Sequence, residues 1–224
     1  MTVADADELI NEVAREVSYT SRLTGRAALS ERVMTALRDV PRHEFVPQEA
    51  IPYAYINEPL AIGYGQTISQ PYIVALMTDL LEPRASDMLL EVGTGSGYQA
   101  AVLSRLVSRV YTVEIIEPLH RQALATLRRL GYRNVECRLG DGYFGWPQAA
   151  PFDGIVVTAA APGIPEPLVG QLKPGARLVV PVGSPHGHQQ LTVVEKGEKG
   201  EIQIDEVLGV VFVPLTGEGR GSAN

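Results

Sequence analysis

The sequence predicts an α/β domain with a central, mostly parallel sheet, helices on both faces of the sheet and added N-terminal helices. From Met88 onward, short apolar runs alternate with segments of helical periodicity, which is typical of parallel α/β proteins. The first apolar run, residues 89–92, leads into three glycines at alternate positions and then into a predicted helix over residues 98–107. The length of 224 residues suits one large domain with its own core.

Two amphipathic helices are predicted before this alternation begins. Apolar side chains recur at helical spacing among charged residues in the first of them: Leu9, Ile10, Val13 and Val17. The second helix begins after Ser30, a residue type that caps helices well, and ends before Pro41. We expect both helices to pack on the main sheet.

Between Pro41 and Pro71 the periodicity disappears. Prolines and glycines interrupt this stretch repeatedly, yet its aromatic and aliphatic residues are too numerous for a solvated linker. A long, apolar, irregular segment within a compact domain is usually functional. Pro71 suits the first turn of a helix, which is predicted to continue to about Leu81.

The glycine motif after the first apolar run predicts a site for a nucleotide-like ligand. Gly93, Gly95 and Gly97 are spaced G-x-G-x-G, and Glu91 lies two positions before them. Glycine allows a sharp turn and leaves room for a ligand against the main chain, while the next helix directs free N–H groups towards it. The dinucleotide fingerprint has the different spacing G-x-G-x-x-G. A tight strand–helix turn without a ligand is the alternative.

Two further carboxylates lie where a nucleoside would need them. Glu114 ends the second predicted strand and could accept both ribose hydroxyls, or it could serve the start of the helix that runs from Glu117 to Gly131. Asp141 stands between two glycines and could accept from an adenine amino group, or it could belong to a simple turn. The remaining predicted strands cover residues 109–114, 134–139, 152–158 and 176–182, with an antiparallel pair over residues 190–196 and 202–213.

Composition excludes several classes of function. A net charge of −7 argues against an extended nucleic-acid surface. The single cysteine, Cys137, excludes an intrachain disulfide and is compatible with a reducing cytoplasm. Acidic residues within positions 1–20 argue against a secretory signal or a membrane anchor, and no apolar run could span a bilayer. The four histidines form no metal pattern, and the loop from His186 to His188 is expected at the surface.

Two longer motifs precede the glycines. Residues 40–47 read V-P-R-H-E-F-V-P, and residues 65–71 read G-Q-T-I-S-Q-P. From about Ser30 to Thr216 the sequence resembles the protein-L-isoaspartate (D-aspartate) O-methyltransferases, a family of Rossmann-like enzymes that use S-adenosyl-L-methionine (AdoMet). In that family the serine of the T-I-S-x-P segment is treated as the active-site residue, and this position is Ser69. Ser69 could instead cap the following helix, and the two roles are compatible.

The resemblance implies AdoMet as methyl donor and S-adenosyl-L-homocysteine as product, with no metal. It places Glu91 near the amino end of the methionine moiety. The cofactor-binding residues that it implies are Gln66, Thr67, Ile68, Ser69, Glu91, Gly93, Thr94, Gly95, Gly97, Glu114, Asp141, Gly142 and Thr216.

The implied reaction is transfer of a methyl group to the free α-carboxylate of an L-isoaspartyl residue in a damaged protein or peptide. The methyl ester then collapses to a succinimide without help from the enzyme. An α-carboxylate ionises near pH ~3.5, so the reaction needs no general base. The sequence agrees, since it offers no obvious histidine or lysine for proton removal. Small side chains at residues 159–162 would leave room for a peptide main chain.

The resulting hypothesis is a single domain, residues 1–224, in three parts. Residues 1–70 form N-terminal helices and a substrate-covering segment, residues 71–183 the nucleotide-binding core, and residues 184–224 antiparallel strands and a tail. We expect a cytoplasmic, monomeric protein without nucleic-acid or membrane partners. The alternatives are a methyltransferase with a small-molecule or nucleic-acid acceptor, an AdoMet-binding regulator without catalysis, and a nicotinamide-dependent oxidoreductase, which the glycine spacing disfavours.

Overall fold

The computed structural model describes residues 3–184 and 187–217, with side chains from Asp5 onward. The helices are α1 (Val3–Thr24), α2 (Glu31–Asp39), α3 (Pro71–Leu80), α4 (Tyr98–Ser104), α5 (Glu117–Arg129) and α6 (Glu166–Gly170). The strands are β1 (Leu60–Gly63), β2 (Gln66–Ile68), β3 (Met88–Val92), β4 (Arg109–Glu114), β5 (Val135–Leu139), β6 (Phe152–Val157), β7 (Leu172–Gly183), β8 (Gln189–Lys196) and β9 (Ile202–Val210).

Seven strands form the main sheet in the order β5-β4-β3-β6-β7-β8-β9. The first five in this order are parallel, whereas β8 pairs antiparallel with β7 and β9 pairs antiparallel with β8. This confirms the predicted α/β fold with a mostly parallel sheet. Strands β1 and β2 form a separate hairpin.

The sheet is doubly wound, and its direction of winding reverses between β3 and β6. The connections through α4 and α5 move towards one edge of the sheet, and the connection through α6 moves towards the other. Right-handed crossovers therefore put α4 and α5 on one face and α6 on the opposite face. A crevice for a ligand is expected at the carboxyl ends of the strands where the winding reverses.

Two apolar layers cover the faces of the sheet. Successive side chains of a strand point to opposite faces, so Leu89 and Leu90 belong to different layers, and both are fully buried. The layer containing Leu89 also includes side chains of α1 to α5, whereas Leu168 of α6 packs in the layer of Leu90. Burial on both faces explains the near-continuous apolar runs of the parallel strands.

The two predicted N-terminal helices are confirmed, but α2 packs on α1, α3 and α4 rather than directly on the sheet. Helices α1 and α2 occur where apolar periodicity indicates them, and the Ser30 side chain accepts the N–H of Val33 as the N-cap of α2. Several boundaries differ from the predictions. Helix α4 ends at Ser104 rather than at residue 107, and β7 begins at Leu172 rather than at residue 176.

The segment from Pro41 to Pro71 is more regular than its sequence indicates. It contains two 3₁₀ helices, Arg42–Phe45 and Gln48–Tyr53, followed by the β1–β2 hairpin. Both central residues of the hairpin turn have positive φ, 55° at Tyr64 and 72° at Gly65, as in type I′ turns. Strands of three and four residues are too short to show alternation, which is why the sequence did not reveal them.

The chain beyond β9 also differs from its prediction. Strand β9 ends at Val210, whereas residues 202–213 were expected to be extended within the sheet. Residues 213–215 instead run beside the segment after β6. The N–H of Ala160 donates to the carbonyl of Val213, and the N–H of Leu215 donates to the carbonyl of Ala160, each over 2.8 Å. This path brings the residues before the C-terminal tail back to the carboxyl ends of β3 and β6.

Candidate active site

A cavity enclosing about 730 Å³ of empty space, part of it open to solvent, lies at the reversal of strand order. We call it the switch-point cavity. Its walls are the loop after β3, the ends of β4 and β6, strand β2 with Ser69, and residues 213–216. The predicted cofactor-binding residues that line it are Gln66, Thr67, Ile68, Ser69, Glu91, Gly93, Thr94, Gly95, Glu114, Gly142 and Thr216.

Glu114 joins the glycine loop to the end of β4. One carboxylate oxygen, Oε2, accepts the Gly95 N–H over 2.7 Å, and Oε1 accepts the Ile116 N–H over 2.9 Å. The side chain is only 5% exposed and forms part of the cavity wall. Glu114 therefore stabilises the chain that leads into α5, as one of the two predictions stated. It also lines the cavity in which the other prediction placed a ribose.

Two glycines allow the close approach of chain segments around the cavity. Gly93 has φ of 96°, and a β-carbon there would lie 2.5 Å from Oγ1 of Thr158. That hydroxyl donates to the carbonyls of Gly93 and Val92, over 2.6 and 3.1 Å respectively. A β-carbon on Gly142 would lie 2.5 Å from Cγ1 of Val92. Any larger residue at either position would force the cavity wall to move.

Glu91 is a fully buried carboxyl group at the base of the cavity. The Thr112 hydroxyl donates to its Oε2, and the Thr112 and Thr94 hydroxyl oxygens lie 2.6 Å apart. Desolvation by burial is the main cause that raises the pKa of Glu91 to about 8, and the neighbouring charge of Glu114 adds to it. Among the described residues, no group hydrogen-bonds its Oε1. The atom is itself buried, and a main-chain hydrogen bond from Ala100 at the start of α4 also acts on this carboxyl group and lowers its pKa.

Ser69 lies between β2 and α3, and its hydroxyl has no hydrogen-bond partner within residues 3–184 and 187–217. The N-cap residue of α3 is Gln70, and the Gln70 side chain makes no hydrogen bond to the first turn of the helix. The N–H of Tyr72 instead donates to Oδ1 of Asn57 over 2.9 Å. The alternative prediction that Ser69 caps α3 is therefore wrong, because Asn57 performs that task.

Two predicted cofactor residues do not line the cavity. Gly97, with φ of 89°, is the N-cap of α4 and faces α5, where a β-carbon would meet Leu127 at 3.3 Å. The close packing of α4 against α5, rather than contact with a ligand, explains why residue 97 is a glycine. The Asp141 side chain accepts the Tyr143 N–H and lies against Gly217, so its carboxylate belongs to a turn. Only its neighbour Gly142 lines the cavity.

Three other residues, two in the cavity wall and one behind it, have no signal in the sequence pattern. Thr158 ends the fourth predicted strand, and its contact with Gly93 could not be inferred from spacing. Thr112 points inward within β4, so only the strand register places it beside Glu91. Gln99 on α4 also lines the cavity, and its amide donates to the Thr78 hydroxyl over 2.8 Å.

A second depression, enclosing about 1260 Å³ and open to solvent, shares Thr67 and Ser69 with the switch-point cavity. We call it the adjacent groove. Its walls are α1, the beginning of α3, the start of β8 and residues 208–212. His188 is exposed and lines it, whereas His186, the other histidine of the predicted surface loop, lies outside the described residues. Ser69 thus stands at the boundary of two spaces.

The doubly wound sheet, the glycine loop at its switch point and the buried acidic residues beside that loop define a Rossmann-like AdoMet-dependent methyltransferase. Within this class, the family described as "Protein-L-isoaspartate(D-aspartate) O-methyltransferase (PCMT)" matches residues 19–220. The chain belongs to this family.

Individual relatives agree with the family assignment. Protein-L-isoaspartate O-methyltransferase 2 of Nitrosococcus oceani is 64% identical over 211 residues, which cover 94% of this chain and 96% of the relative. A solved protein-L-isoaspartate O-methyltransferase matches with a TM-score of 0.82 and 28% identity, over 95% of this chain and 66% of that chain.

A third relative supports the fold alone. A Plasmodium falciparum protein, described as a protein-L-isoaspartate O-methyltransferase in complex with S-adenosyl-L-homocysteine, matches with a TM-score of 0.74 and 22% identity. It covers 92% of this chain and 97% of its own. In the part of our chain that the structure describes, no helix has the length and apolar character needed to cross a membrane.

Proposed function

We propose that this protein is a repair methyltransferase that modifies the free α-carboxylate of L-isoaspartyl residues in damaged proteins and peptides. The methyl donor is AdoMet, and the methyl ester collapses spontaneously to a succinimide. The observation that carries the proposal is the position of Ser69, which lines both the switch-point cavity and the adjacent groove and whose hydroxyl has no hydrogen-bond partner among the described residues. Family membership over residues 19–220 supports the same reaction.

The residues of the switch-point cavity suit AdoMet. Bound there, AdoMet supplies a methyl group on a positively charged sulfur. Glu91, whose residue lines the cavity, would lie near the ammonium group of the methionine moiety, and Glu114 retains lone pairs for ribose hydroxyls. Gly93 and Gly95 line the cavity with main chain alone, against which a ligand could lie.

Ser69 would orient the acceptor carboxylate by donating one hydrogen bond. The adjacent groove would hold the main chain of the peptide, so that the carboxylate enters past Ser69 towards the switch-point cavity. An isoaspartyl linkage places its carboxylate directly on the α-carbon, whereas an aspartyl side chain carries it one methylene further out. Alignment of this kind, together with exclusion of water, is the main contribution that the protein can make.

No general base is required, because the acceptor is already ionised at neutral pH. Ser69 therefore transfers no proton in the reaction, and its hydroxyl acts only as a hydrogen-bond donor. Burial of two opposite charges that neutralise as the methyl group moves favours the transition state within a dry site.

We also infer that the whole chain acts as one domain in the cytoplasm. Residues 71–183 carry the nucleotide-binding core, and the two flanking parts complete the walls around Ser69. The single cysteine, Cys137, is compatible with a reducing compartment. Proteins and peptides that contain isoaspartyl residues are the partners we propose, with the protein acting as a monomer.

The substitution Ser69→Ala tests the assignment of Ser69. Loss of one aligned hydrogen bond should lower kcat for an isoaspartyl peptide on the order of tenfold to a few hundredfold. The melting temperature and the affinity for S-adenosyl-L-homocysteine should stay near their native values, because the hydroxyl bonds to nothing in the described chain. Ser18→Ala, at an exposed site on α1, is the matched control. An unchanged kcat would remove Ser69 from the mechanism.

The acceptor is tested separately with two peptides that differ only in their linkage. One carries an isoaspartyl residue and the other an ordinary aspartyl residue at the same position. Transfer of radiolabelled methyl as a base-labile ester should be confined to the isoaspartyl peptide. Equal labelling of both peptides would contradict the proposed acceptor.

A further inference from the structure

A single carboxylate on α1 holds both amide side chains that flank the Ser69 region. Oε2 of Glu16 accepts from Nδ2 of Asn57 over 2.6 Å and from Nε2 of Gln70 over 3.0 Å. The Gln70 amide also lies 3.3 Å from the other oxygen, Oε1. Glu16 therefore bridges the loop before β1 and the junction that carries Ser69.

The side-chain oxygen of Asn57 accepts a hydrogen bond from the first turn of α3. This oxygen, Oδ1, accepts the Tyr72 N–H over 2.9 Å, while Pro71 has no N–H to satisfy. The first turn of a helix leaves donors without partners, and a serine immediately before it would ordinarily supply an acceptor. Because Asn57 supplies that acceptor from elsewhere in the chain, the first turn of α3 does not use the Ser69 hydroxyl, which bonds to no group within residues 3–184 and 187–217.

Glu16 has no cationic partner among the residues that the structure describes. Its charge is compensated by the amide donors alone, and hydrogen bonds to an ionised acceptor are shorter and stronger than neutral ones. The side chain is partly buried and forms part of the wall of the adjacent groove together with Ser69. The bridge thus lies beside the space where the peptide would enter.

We propose that Glu16 is a positioning residue for methyl transfer, acting through Asn57 and Gln70 on the orientation of Ser69. Gln70 follows Ser69 directly, so the hydrogen bonds that hold the Gln70 side chain also restrict the main-chain conformation of Ser69. Asn57 fixes the beginning of α3 on the other side of the junction. Displacement of a reacting group by about 1 Å can lower a rate by about a hundredfold, so loss of this bridge should affect catalysis. The inference rests on the proposed role of Ser69.

In the native pair the Asn57 amide donates and the Glu16 carboxylate accepts. Exchanging the amide and the carboxylate between the two positions therefore tests the bridge. In Glu16→Gln, the amide can turn so that its oxygen still accepts from Asn57 and Gln70, so this variant keeps the bridge in a neutral, weaker form. In Asn57→Asp, the acceptor for Tyr72 is retained, but two carboxylates face each other. In the double variant Glu16→Gln/Asn57→Asp, the introduced amide can donate to the introduced carboxylate, so the bridge re-forms with its polarity reversed.

We expect Asn57→Asp to lower kcat for an isoaspartyl peptide about tenfold, Glu16→Gln to lower it by less than about threefold, and the double variant to return to within about threefold of native. The dissociation constant of S-adenosyl-L-homocysteine should change by less than about twofold in all three variants, since Glu16 does not line the switch-point cavity. Glu8→Gln, an equal change of charge at an exposed position on α1, should leave kcat unchanged.

The outcomes separate this inference from the role of Ser69. If Ser69→Ala lowers kcat and the single variants lower only the melting temperature, Glu16 merely fastens α1 to α3 and the positioning role is overturned. A double variant that is no faster than the slower single variant also overturns it. If Ser69→Ala leaves kcat unchanged, the role of Ser69 fails, and the positioning role fails with it.

Discussion

The carboxylate of Glu114 accepts the main-chain N–H of Gly95 over 2.7 Å, which ties the end of β4 to the loop that follows β3. Its second oxygen accepts the N–H of Ile116 at the approach to α5. A residue expected to bind ribose is therefore also a structural part of the glycine loop. Removing it should affect both the ligand and the shape of the loop.

Glu114→Ala should weaken binding of S-adenosyl-L-homocysteine by about 1.5–3 kcal/mol, through loss of charge-assisted hydrogen bonds. Loss of the bonds to Gly95 and Ile116 should also lower the free energy of unfolding. Titration calorimetry and urea unfolding measure the two effects. Glu117→Ala, which removes an exposed carboxylate at the start of α5, is the matched control. Unchanged ligand affinity would contradict the assigned role.

The raised pKa of Glu91 predicts a dependence of stability on pH. The pKa rises from 4.5 to about 8 in the folded protein, so the folded state retains a proton that the unfolded state releases. The free energy of unfolding of the ligand-free protein should therefore fall as pH rises from about 4.5 to about 8, by up to about 1.4 kcal/mol per pH unit.

Glu91→Gln should remove this contribution, because an amide does not titrate and can still accept from the Thr112 hydroxyl. The measurement is urea unfolding of the native protein and the variant at several values of pH between about 5 and 8. A native protein and variant with the same slope would show that Glu91 ionises normally.

Gly93→Ala should be more destabilising than Gly95→Ala. Both positions have positive φ, which costs an alanine about 1–2 kcal/mol. Only at Gly93 does the added methyl group collide with Thr158, at 2.5 Å, whereas at Gly95 it would meet Cδ1 of Ile62 at an ordinary 3.5 Å. We expect an extra loss of about 1–3 kcal/mol for Gly93→Ala in chemical denaturation. Equal losses would mean that Thr158 moves aside without cost.

Arg42 should tolerate methionine better than alanine. The guanidinium is fully buried over the Tyr98 ring, 4.9 Å from its centroid, and within the described part of the chain only Nη2 has a hydrogen-bond acceptor, the carbonyl of Glu58. Desolvation by burial lowers the pKa of Arg42 to about 10. Methionine removes this buried charge and keeps most of the volume, whereas alanine leaves a cavity.

We therefore expect Arg42→Met to change the free energy of unfolding by less than about 1 kcal/mol, and Arg42→Ala to lower it by about 2–5 kcal/mol. Arg38→Met removes a partly exposed ion pair and should have almost no effect. If methionine were as damaging as alanine, the charge of Arg42 itself would be needed.

Local patterns in the sequence were sufficient for the parallel strands, most helices and the general place of the site. Strand β4 was predicted with its observed ends, and Glu91 and Glu114 lie at the carboxyl ends of neighbouring strands as expected. These features depend on alternation, helical periodicity and turn residues, which act over a few neighbouring positions. Burial on both faces of the sheet left a particularly clear apolar signal.

Tertiary contacts decided which of the candidate residues face the cavity. Gly97 and Asp141 occur in motifs that suggest ligand binding, but neither lines the cavity: Gly97 packs against α5, and Asp141 accepts the Tyr143 N–H in a turn. Thr216 reaches the cavity only because residues 213–215 pair with Ala160. Such placements depend on the register and path of distant segments, about which a local pattern carries no information.

The same reason separates the two possible roles of Ser69. From the local sequence alone, a serine before a helix is expected to be an N-cap. The neighbouring residues in the sequence do not distinguish this role from a catalytic one. In the folded chain Asn57 supplies the cap, while Glu16 on α1 holds Asn57 and Gln70. Because these hydrogen bonds join distant parts of the chain, only the assembled fold creates them, and among the described residues they leave the Ser69 hydroxyl without a partner.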